Sequence, residues 1–346
     1  MNNSHLLTVL IPTYNRAEEL NQTLKNFIKN KDSKIYFLII NNKSKDKTIK
    51  VVNYFKKKDR RIKLINNKKN LGVSESLRIG LKKIKTPFCT ILSDRYKIDE
   101  KYFKLVLEIF MKNKDVNIIH HSGMGSFKKR KQRYKIYRKG LESIAKAFQY
   151  SSSITGISFR KKLIDLKKYP NNKKAIYTHL FPVISLTKKG KFAEIYNCKF
   201  KIIGKKRLSF IKKVDQDYIK CNIISQSRPM DYGIYEIAKY VHESNLSTYE
   251  KMAILQKKIL WFCNITKNLP KKNFKYTLKK TEEVVGNYFV FYYLYLIFYR
   301  FDIDLVKLIF NKIILIKYYK NHMIALLLFF ATVYKKLQSI QLKINK

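Results

Sequence analysis

Cysteine is scarce in this chain, and the few that occur are far apart. Cys89, Cys198, Cys221 and Cys263 form no closely spaced pair. Structural zinc sites and disulfide scaffolds need such pairs, so the spacing argues against both. Scattered cysteines are typical of a reducing compartment, and we expect the chain to reside in the cytoplasm.

Acidic residues are also few, because 24 aspartates and glutamates stand against 74 lysines and arginines, for a formal net charge of +50. That charge favours an anionic partner, either a nucleic acid or the acidic face of a membrane. Arginine supplies only 12 of the 74 basic side chains, although phosphate-reading proteins usually rely on it. No helix-turn-helix, zinc or RNA-binding motif occurs in the sequence. We therefore expect no specific nucleic-acid partner, and the lysine excess is also typical of AT-rich codon usage.

Long hydrophobic runs are absent as well. The two most apolar stretches, residues 288–299 and 323–334, are each about 12 residues long, whereas a membrane-spanning helix needs about 20. The apolar run before Pro12 is too short for a signal peptide and has no basic residues ahead of it. The two late stretches either pack against protein or lie in the interface of an anionic membrane, which suits their aromatic residues and flanking lysines.

The first 200 residues contain a regular alternation of apolar runs and amphipathic segments. Buried strands are predicted at residues 6–11, 35–40, 62–65, 88–92 and 116–120. Alternation with short connections predicts an α/β fold, a mostly parallel sheet with helices on both faces. Right-handed crossovers then place the strand-end turns along one edge, where we expect a ligand site.

The alternation stops near residue 205, which divides the chain into two predicted regions. Residues 1–205 form the α/β domain, and residues 206–346 form a helical region that either packs against protein or associates with a membrane. Within the first region, residues 126–139 hold eight basic side chains and no acid. This segment is either a solvated surface loop or a basic flap near a phosphate-bearing substrate.

Five motifs occur in order along the first 200 residues. They are VLIPTYNRAEEL from residue 9, IINNKSKDKT from residue 39, NLGVSESLRIGL from residue 70, ILSDRYKID from residue 91 and HLFPVISLTKKGKF from residue 179. Their order and spacing resemble family-2 glycosyltransferases of the kind that build bacterial surface polysaccharides. The resemblance implies the Rossmann-like GT-A fold, which binds nucleotide sugars.

The resemblance assigns a set of residues to the nucleotide and its diphosphate: Pro12, Thr13, Tyr14, Arg16, Asn41, Asn42, Arg78, Ser93, Asp94 and Arg95. Tyr14 can stack on a base and Arg16 can bind phosphate. Asn41 and Asn42 stand where the family usually has a base-reading aspartate, and an amide can still hydrogen bond to a pyrimidine.

The acidic motif departs from the family pattern. Family members usually carry several acids here, two of which contact a metal and the sugar diphosphate, whereas Asp94 is followed by Arg95 and Tyr96. Two alternatives follow. Asp94 binds Mg²⁺ or Mn²⁺ with water and diphosphate oxygens as the other ligands, or Arg95 neutralises the leaving diphosphate instead of a metal.

The family's catalytic base aligns with His179, which with Asp94 completes the predicted catalytic pair. A histidine near its usual pKa can accept a proton from an acceptor hydroxyl. Asp165 and Glu142 are weaker candidates for the base. His120 and His121 end a predicted strand, where they either contact the acceptor or pack in the core.

The resemblance implies a transferase that moves a sugar from a nucleotide diphosphate donor to a growing capsule, lipooligosaccharide or O-antigen, with inversion. Its acceptor would be a lipid-linked saccharide or a lipooligosaccharide core, reached from the inner face of the plasma membrane as a peripheral protein. The alternative is a catalytically degenerate GT-A-like binding subunit of a glycan-assembly complex.

Overall fold

The computed structural model describes residues 5–121, 131–150, 153–167, 169, 178–203, 241 and 244–247. The predicted helical region, residues 206–346, lies almost wholly outside this set, so that region and the boundary near residue 205 stay predictions. Residues 126–130 of the basic segment also lie outside it. No helix in the described part of the chain is long and apolar enough to span a bilayer.

Ten strands and six α-helices are described. The strands are β1 (Leu7–Thr13), β2 (Ile35–Asn41), β3 (Ile62–Asn66), β4 (Phe88–Ile91), β5 (Tyr96–Ile98), β6 (Val116–His121), β7 (Tyr134–Ile136), β8 (Ile157–Arg160), β9 (Lys191–Ile195) and β10 (Phe200–Ile202). The helices are α1 (Ala17–Phe27), α2 (Thr48–Lys58), α3 (Gly72–Lys83), α4 (Lys101–Lys112), α5 (Leu141–Tyr150) and α6 (Leu180–Lys189).

Eight strands form one sheet in the order β3-β2-β1-β4-β8-β6-β9-β7, and β5 pairs with β10 in a second sheet. β1 is parallel to β2 and β4, and β2 is parallel to β3. β8 is antiparallel to both β4 and β6, so β6 and its parallel partner β9 run in the same direction as β4. The predicted mostly parallel sheet is confirmed.

Helices cover both faces of this sheet. Val9, Ile11 and Phe37 point to one face and join the hydrophobic core that α1, α2 and α4 complete. On the opposite face, Gly80 of α3 lies against Leu10 so closely that an added Cβ would clash with that side chain. The strand pattern predicts this arrangement because runs buried on both faces need helices on both sides.

Six strands end along one edge of the sheet, which we call the carboxyl edge. Thr13, Asn41, Asn66, Ile91, His121 and Ile195 are the last residues of β1, β2, β3, β4, β6 and β9 at this edge. The turns that follow these strands are therefore neighbours, and they include four of the five sequence motifs or their immediate continuations.

Three elements differ from the sequence-based expectation. Tyr134–Ile136 form β7 inside the segment expected to be a loop or flap, because it pairs with β9 at the edge of the sheet. Tyr96–Ile98 form β5 directly after the acidic motif, since Phe200–Ile202 supply a partner strand that lies 100 residues away. Leu141–Tyr150 form α5, for which the sequence analysis made no prediction.

Candidate functional site

Arg16 and Asp94 form an ion pair at the carboxyl edge. Arg16 Nη1 donates to Asp94 Oδ1 over 2.6 Å, and the exposed fractions of the two side chains are 22% and 1%. Arg16 lies in the turn between β1 and α1, and Asp94 lies just after β4 on the neighbouring strand. The structure thus joins two predicted nucleotide-binding turns through a buried carboxylate and a partly exposed guanidinium.

Asp94 is held in place through its own turn. Leu92 N donates to Leu10 O over 2.9 Å, which extends the β1–β4 pairing up to the acidic motif. Thr23 Oγ1 of α1 donates to the Asp94 carbonyl over 2.9 Å, and Ser93 Oγ lies 3.3 Å from Asp94 Oδ1. The carboxylate therefore has a fixed position at the start of α1.

Two buried polar atoms at this edge have no protein partner. Thr13 Oγ1 and Asp94 Oδ2 make no hydrogen bond within the described part of the chain, although both residues are almost fully buried. Unsatisfied buried polar groups are uncommon in proteins and often mark a ligand or catalytic site. Thr13 ends β1 and Asp94 lies three residues beyond the end of the neighbouring β4, and both belong to the set that the sequence assigns to the nucleotide.

The first and second turns are bound together by side chains. Asn15, with a left-handed φ of 50°, donates from its backbone N to Ser44 Oγ over 2.9 Å and accepts from Lys45 N over 2.8 Å. Asp46, in the turn before α2, accepts from Thr48 N over 3.0 Å and also from Ala17 N, at the start of α1, over 3.0 Å. Asp46 thus links the first turns of both helices and fixes the loop around Arg16.

The amides of Asn41 and Asn42 hydrogen bond to protein. Asn41 Nδ2 donates to Asn66 Oδ1 over 2.7 Å, and its oxygen accepts from Ser44 Oγ over 2.5 Å. Asn42 Oδ1 accepts from Leu71 N over 2.8 Å, and both residues are buried. These contacts position the turns after β2 and β3, and base reading by either amide stays a prediction.

Arg78 forms an ion pair with Glu75 on its own helix, α3. Its Nε donates to Glu75 Oε2 over 2.7 Å, and its Nη2 donates to Glu75 Oε1 as the second half of a bidentate pair. This hydrogen bonding raises the pKa of Arg78. The structure does not show Arg78 in contact with Arg16 or Asp94, and its predicted diphosphate contact stays a prediction.

The remaining motif residues lie beside the Arg16–Asp94 pair. Pro12, Tyr14, Ser93 and Arg95 are each half-buried at the carboxyl edge. The Arg95 carbonyl accepts from Ile203 N over 2.8 Å, which aligns the segment with β10. Asp94 forms its ion pair with Arg16, and the predicted role of Arg95, neutralising the leaving diphosphate, stays a prediction.

The donor atoms at Asp94 are a poor match for a divalent metal. Mg²⁺ and Mn²⁺ bind several oxygen ligands, and Asp94 offers one carboxylate of which Oδ1 already pairs with Arg16. In the described ranges, no three His, Cys, Asp or Glu side chains are close enough together to hold a metal ion. Of the two carboxylate oxygens of Asp94, the buried Oδ2 is the one that remains available to coordinate a metal ion.

His179 lies at the beginning of α6 and is 3% exposed. Because α6 leads directly into β9, which runs toward the carboxyl edge, the first turn of α6 lies at that edge. Glu142 and Asp165 differ. They follow β7 and β8, which run in the opposite direction, so these two weaker candidates for the base lie toward the other edge of the sheet.

His120 and His121 are buried at the end of β6. The ring nitrogens of His120 lie 2.9 Å from His121 O and 3.2 Å from Ser153 O. His121 stacks on Phe200 with ring centroids 3.8 Å apart, and its burial holds its pKa well below its usual 6.5. Both histidines therefore pack in the core, which is one of the two alternatives that the sequence left open.

The sequence analysis missed a buried carboxylate in β9. Glu194 is 1% exposed, and its Oε2 accepts hydrogen bonds from Tyr137 and, over 3.3 Å, from Tyr196. Burial and the Glu194 carboxylate raise the pKa of Tyr137. The signal was a single acid inside the apolar run KFAEI, a pattern that indicates a buried charge with partners.

Comparisons with known proteins agree with this geometry. Residues 8–172 match the family model described as glycosyl transferase family 2. An uncharacterized glycosyltransferase from Haemophilus influenzae is 35% identical over 81 residues, which cover 23% of this chain and 25% of that protein. A second one from the same organism is 31% identical over 103 residues, covering 30% and 41%. The chain thus spans well under half the length of these curated relatives.

Solved structures share the fold. A crystal structure of S. aureus TarS 1–349 has a TM-score of 0.62 at 13% identity, covering 86% of this chain and 88% of that one. The same protein in complex with UDP-GlcNAc has a TM-score of 0.59 at 13% identity, covering 80% and 79%. At these identities the likeness concerns the fold alone. Together with the motifs at the carboxyl edge, the family match shows that residues 8–172 are a glycosyltransferase family 2 domain.

Proposed function

We propose that this chain transfers a sugar from a nucleotide diphosphate donor to a hydroxyl group of a growing glycan. The observation that carries the proposal is the pair of buried, unpartnered atoms, Thr13 Oγ1 and Asp94 Oδ2, beside the Arg16 guanidinium. A hydroxyl, a carboxylate oxygen and a guanidinium are suited to the ribose hydroxyls and phosphates of such a donor.

The donor is proposed to carry uridine. A protein with this fold, S. aureus TarS, has been solved in complex with UDP-GlcNAc, which makes UDP-sugars the first candidates. Tyr14 is half-buried at the carboxyl edge, where its ring can stack on a base. Asn41 and Asn42 belong to the neighbouring turn after β2, and their amides are proposed to read the base from there.

The reaction is proposed to invert the anomeric centre, with His179 as the general base. The acceptor oxygen would form a bond to the anomeric carbon while the bond to the diphosphate oxygen breaks and its electrons stay with the diphosphate. The proton of the acceptor hydroxyl would pass to His179. The position of His179 at the first turn of α6, on the carboxyl edge, supports this role.

The acceptor is proposed to be a lipid-linked saccharide or lipooligosaccharide core of a capsule, O-antigen or lipooligosaccharide pathway. The net charge of +50 supports peripheral binding to the anionic inner face of a bacterial plasma membrane. Such binding would bring the carboxyl edge to a membrane-held acceptor.

The second candidate is a degenerate GT-A-like subunit that binds without catalysis. The observation that favours it is that Asp94 pairs with Arg16 and is followed by Arg95 and Tyr96 instead of further acids. The release of free nucleotide from the sugar donor distinguishes a transferase from a subunit that only binds. The full chain is incubated with UDP-, GDP- and CDP-sugars, with and without a lipid-linked acceptor, and free nucleotide is measured.

We expect one nucleotide sugar to be consumed, and His179→Ala to abolish that turnover without abolishing donor binding. Asp165→Asn is the matched control, because it changes a weaker candidate for the base that lies toward the other edge. Tight donor binding with no turnover under any condition would support the degenerate subunit instead.

A further inference from the structure

The acidic motif provides too few oxygen ligands for a divalent ion. Arg95 and Tyr96 follow Asp94 where additional acids would be needed. Elsewhere in the described ranges, no cluster of three metal-ligating side chains supplies the deficit. A hard cation bound to one carboxylate would depend almost entirely on water and on the substrate.

A cation already occupies this carboxylate. The Arg16 guanidinium lies 2.6 Å from Asp94 Oδ1. A divalent ion on the buried Oδ2 would lie beside that guanidinium, with a single negative charge to offset three positive ones. Two cations a few ångströms apart at a partly buried site repel each other strongly. The ion pair therefore disfavours a metal at Asp94.

The placement of Arg16 is suited to an anionic ligand. Its backbone is fixed on both sides, since Arg16 N donates to Thr48 Oγ1 over 3.3 Å and Arg16 O accepts from Leu20 N over 3.0 Å. It directly precedes α1, whose first amides carry a positive partial charge. Arg16 is also the more exposed member of the pair, so its guanidinium faces the carboxyl edge while Asp94 stays buried.

We infer that Arg16, held by Asp94, binds the donor diphosphate in place of a divalent metal. This inference rests on the proposed function. Arg16 is the group that contacts the diphosphate and neutralises the charge that develops on it as the glycosidic bond breaks. Toward the diphosphate, Asp94 is a positioning residue, because its Oδ1 orients the guanidinium, while its Oδ2 is left for a hydroxyl of the donor under the proposed function.

Calorimetric titration of the full chain tests this inference. UDP, CDP and GDP are titrated in EDTA and in Mn²⁺, and the matching nucleoside is titrated as a probe that has no phosphate. We expect the best nucleoside diphosphate to bind equally well in EDTA and in Mn²⁺. Arg16→Ala should weaken diphosphate binding by about 10- to 100-fold while leaving nucleoside binding unchanged. Arg16→Lys should retain part of the affinity, since lysine keeps the positive charge but cannot donate the two parallel hydrogen bonds of a guanidinium.

A double-mutant cycle tests the role of Asp94. If Asp94 acts on the diphosphate through Arg16, then Asp94→Asn reduces the affinity advantage of the nucleoside diphosphate over its nucleoside in the wild-type background and has little further effect on that advantage in Arg16→Ala. Arg60→Ala is the matched control, because Arg60 is exposed and precedes β3, at the edge opposite the site. It should bind nucleotides as the wild type does, and circular dichroism confirms that each variant is folded.

Three results would overturn the inference. Diphosphate binding that needs Mn²⁺ and disappears in EDTA would show that a metal binds the diphosphate, and it would be compatible with the proposed transferase. Equal affinity of wild type and Arg16→Ala for the diphosphate in EDTA would show that Arg16 does not bind it. No binding of any nucleotide under either condition would contradict both this inference and the proposed function.

Discussion

Arg16 Nη1 and Asp94 Oδ1 lie 2.6 Å apart, although 78 residues separate them in the chain. Their contact joins the turn after β1 to the turn after β4, and it places a partly exposed cation over a buried carboxylate. The neighbouring Thr13 Oγ1 and Asp94 Oδ2 are left without protein partners in the described part of the chain.

Thr13→Val should not destabilise the protein. The hydroxyl of Thr13 is buried without a partner, so replacing it with a methyl group removes an unsatisfied polar atom and should leave the free energy of unfolding unchanged or raise it by up to about 1 kcal/mol. Urea unfolding followed by circular dichroism measures this.

Thr90→Val is the matched control for Thr13→Val. Thr90 Oγ1 lies 2.7 Å from Ser158 Oγ in the same sheet. The substitution leaves the buried Ser158 hydroxyl without this partner and should lower the free energy of unfolding by about 1–3 kcal/mol. Equal destabilisation by the two variants would show that Thr13 has a structural hydrogen bond.

Gly156→Ala should destabilise the fold more than Gly140→Ala does. Both glycines have a left-handed φ, 86° and 93°, but only a Cβ at Gly156 would meet the His121 ring, at 2.6 Å. We expect losses of about 2–4 kcal/mol at Gly156 and about 1–2 kcal/mol at Gly140, where nothing lies within 4 Å. Urea midpoints give both values, and a larger loss at Gly140 would contradict the packing described here.

His121 should make the fold sensitive to acid. Its folded-state pKa lies well below 6.5, mainly through burial, so below pH 6.5 the unfolded chain binds a proton that the folded chain does not. The stability from this residue is therefore fully present above pH 6.5 and decreases as the pH falls, by at most about 1.4 kcal/mol per pH unit. Urea unfolding at several pH values between about 5.5 and 7.5 measures the slope. His121→Phe should reduce it, and an unchanged slope in that variant would assign it to other groups.

Asn42→Ala should loosen the turns after β2 and β3. Asn42 Oδ1 accepts hydrogen bonds from Leu71 N and Asn67 Nδ2, over 2.8 and 3.1 Å, and the substitution leaves both donors without this partner. We expect a loss of about 1–3 kcal/mol in the free energy of unfolding. Faster amide hydrogen exchange at Leu71 would confirm that the turn has loosened. Asn53→Ala, on the exposed side of α2, serves as the control and should change neither quantity.

The core of the fold was predictable from local patterns. β1 and β2 are continuous apolar runs, and α1 has Leu20, Leu24 and Phe27 at helical spacing, so periodicity alone identified them. β5 and β7 were missed because each has only three residues and forms through pairing with a distant segment, β10 and β9. Pairing between distant segments is a tertiary property that no local pattern contains.

The sequence predicted which residues form the site better than it predicted the contacts between them. The motifs and the family resemblance named Thr13, Arg16 and Asp94, and the structure brings them together at one edge. They did not indicate that Arg16 pairs with Asp94, because that depends on the three-dimensional course of the turn before α1. The buried Glu194 was missed for a similar reason, since one of its two partners, Tyr137, lies 57 residues away in the chain.

The most direct test of the account is the binding of nucleoside diphosphates at the carboxyl edge. UDP, CDP and GDP are titrated calorimetrically into the full chain and into Thr13→Val and Thr90→Val at a temperature where all three proteins are folded. The account predicts that one nucleotide binds the wild type, that Thr13→Val weakens it by about 3- to 10-fold, and that Thr90→Val leaves it unchanged. No binding of any nucleotide, or equal affinity in all three proteins, would contradict a donor site at Thr13 and Asp94.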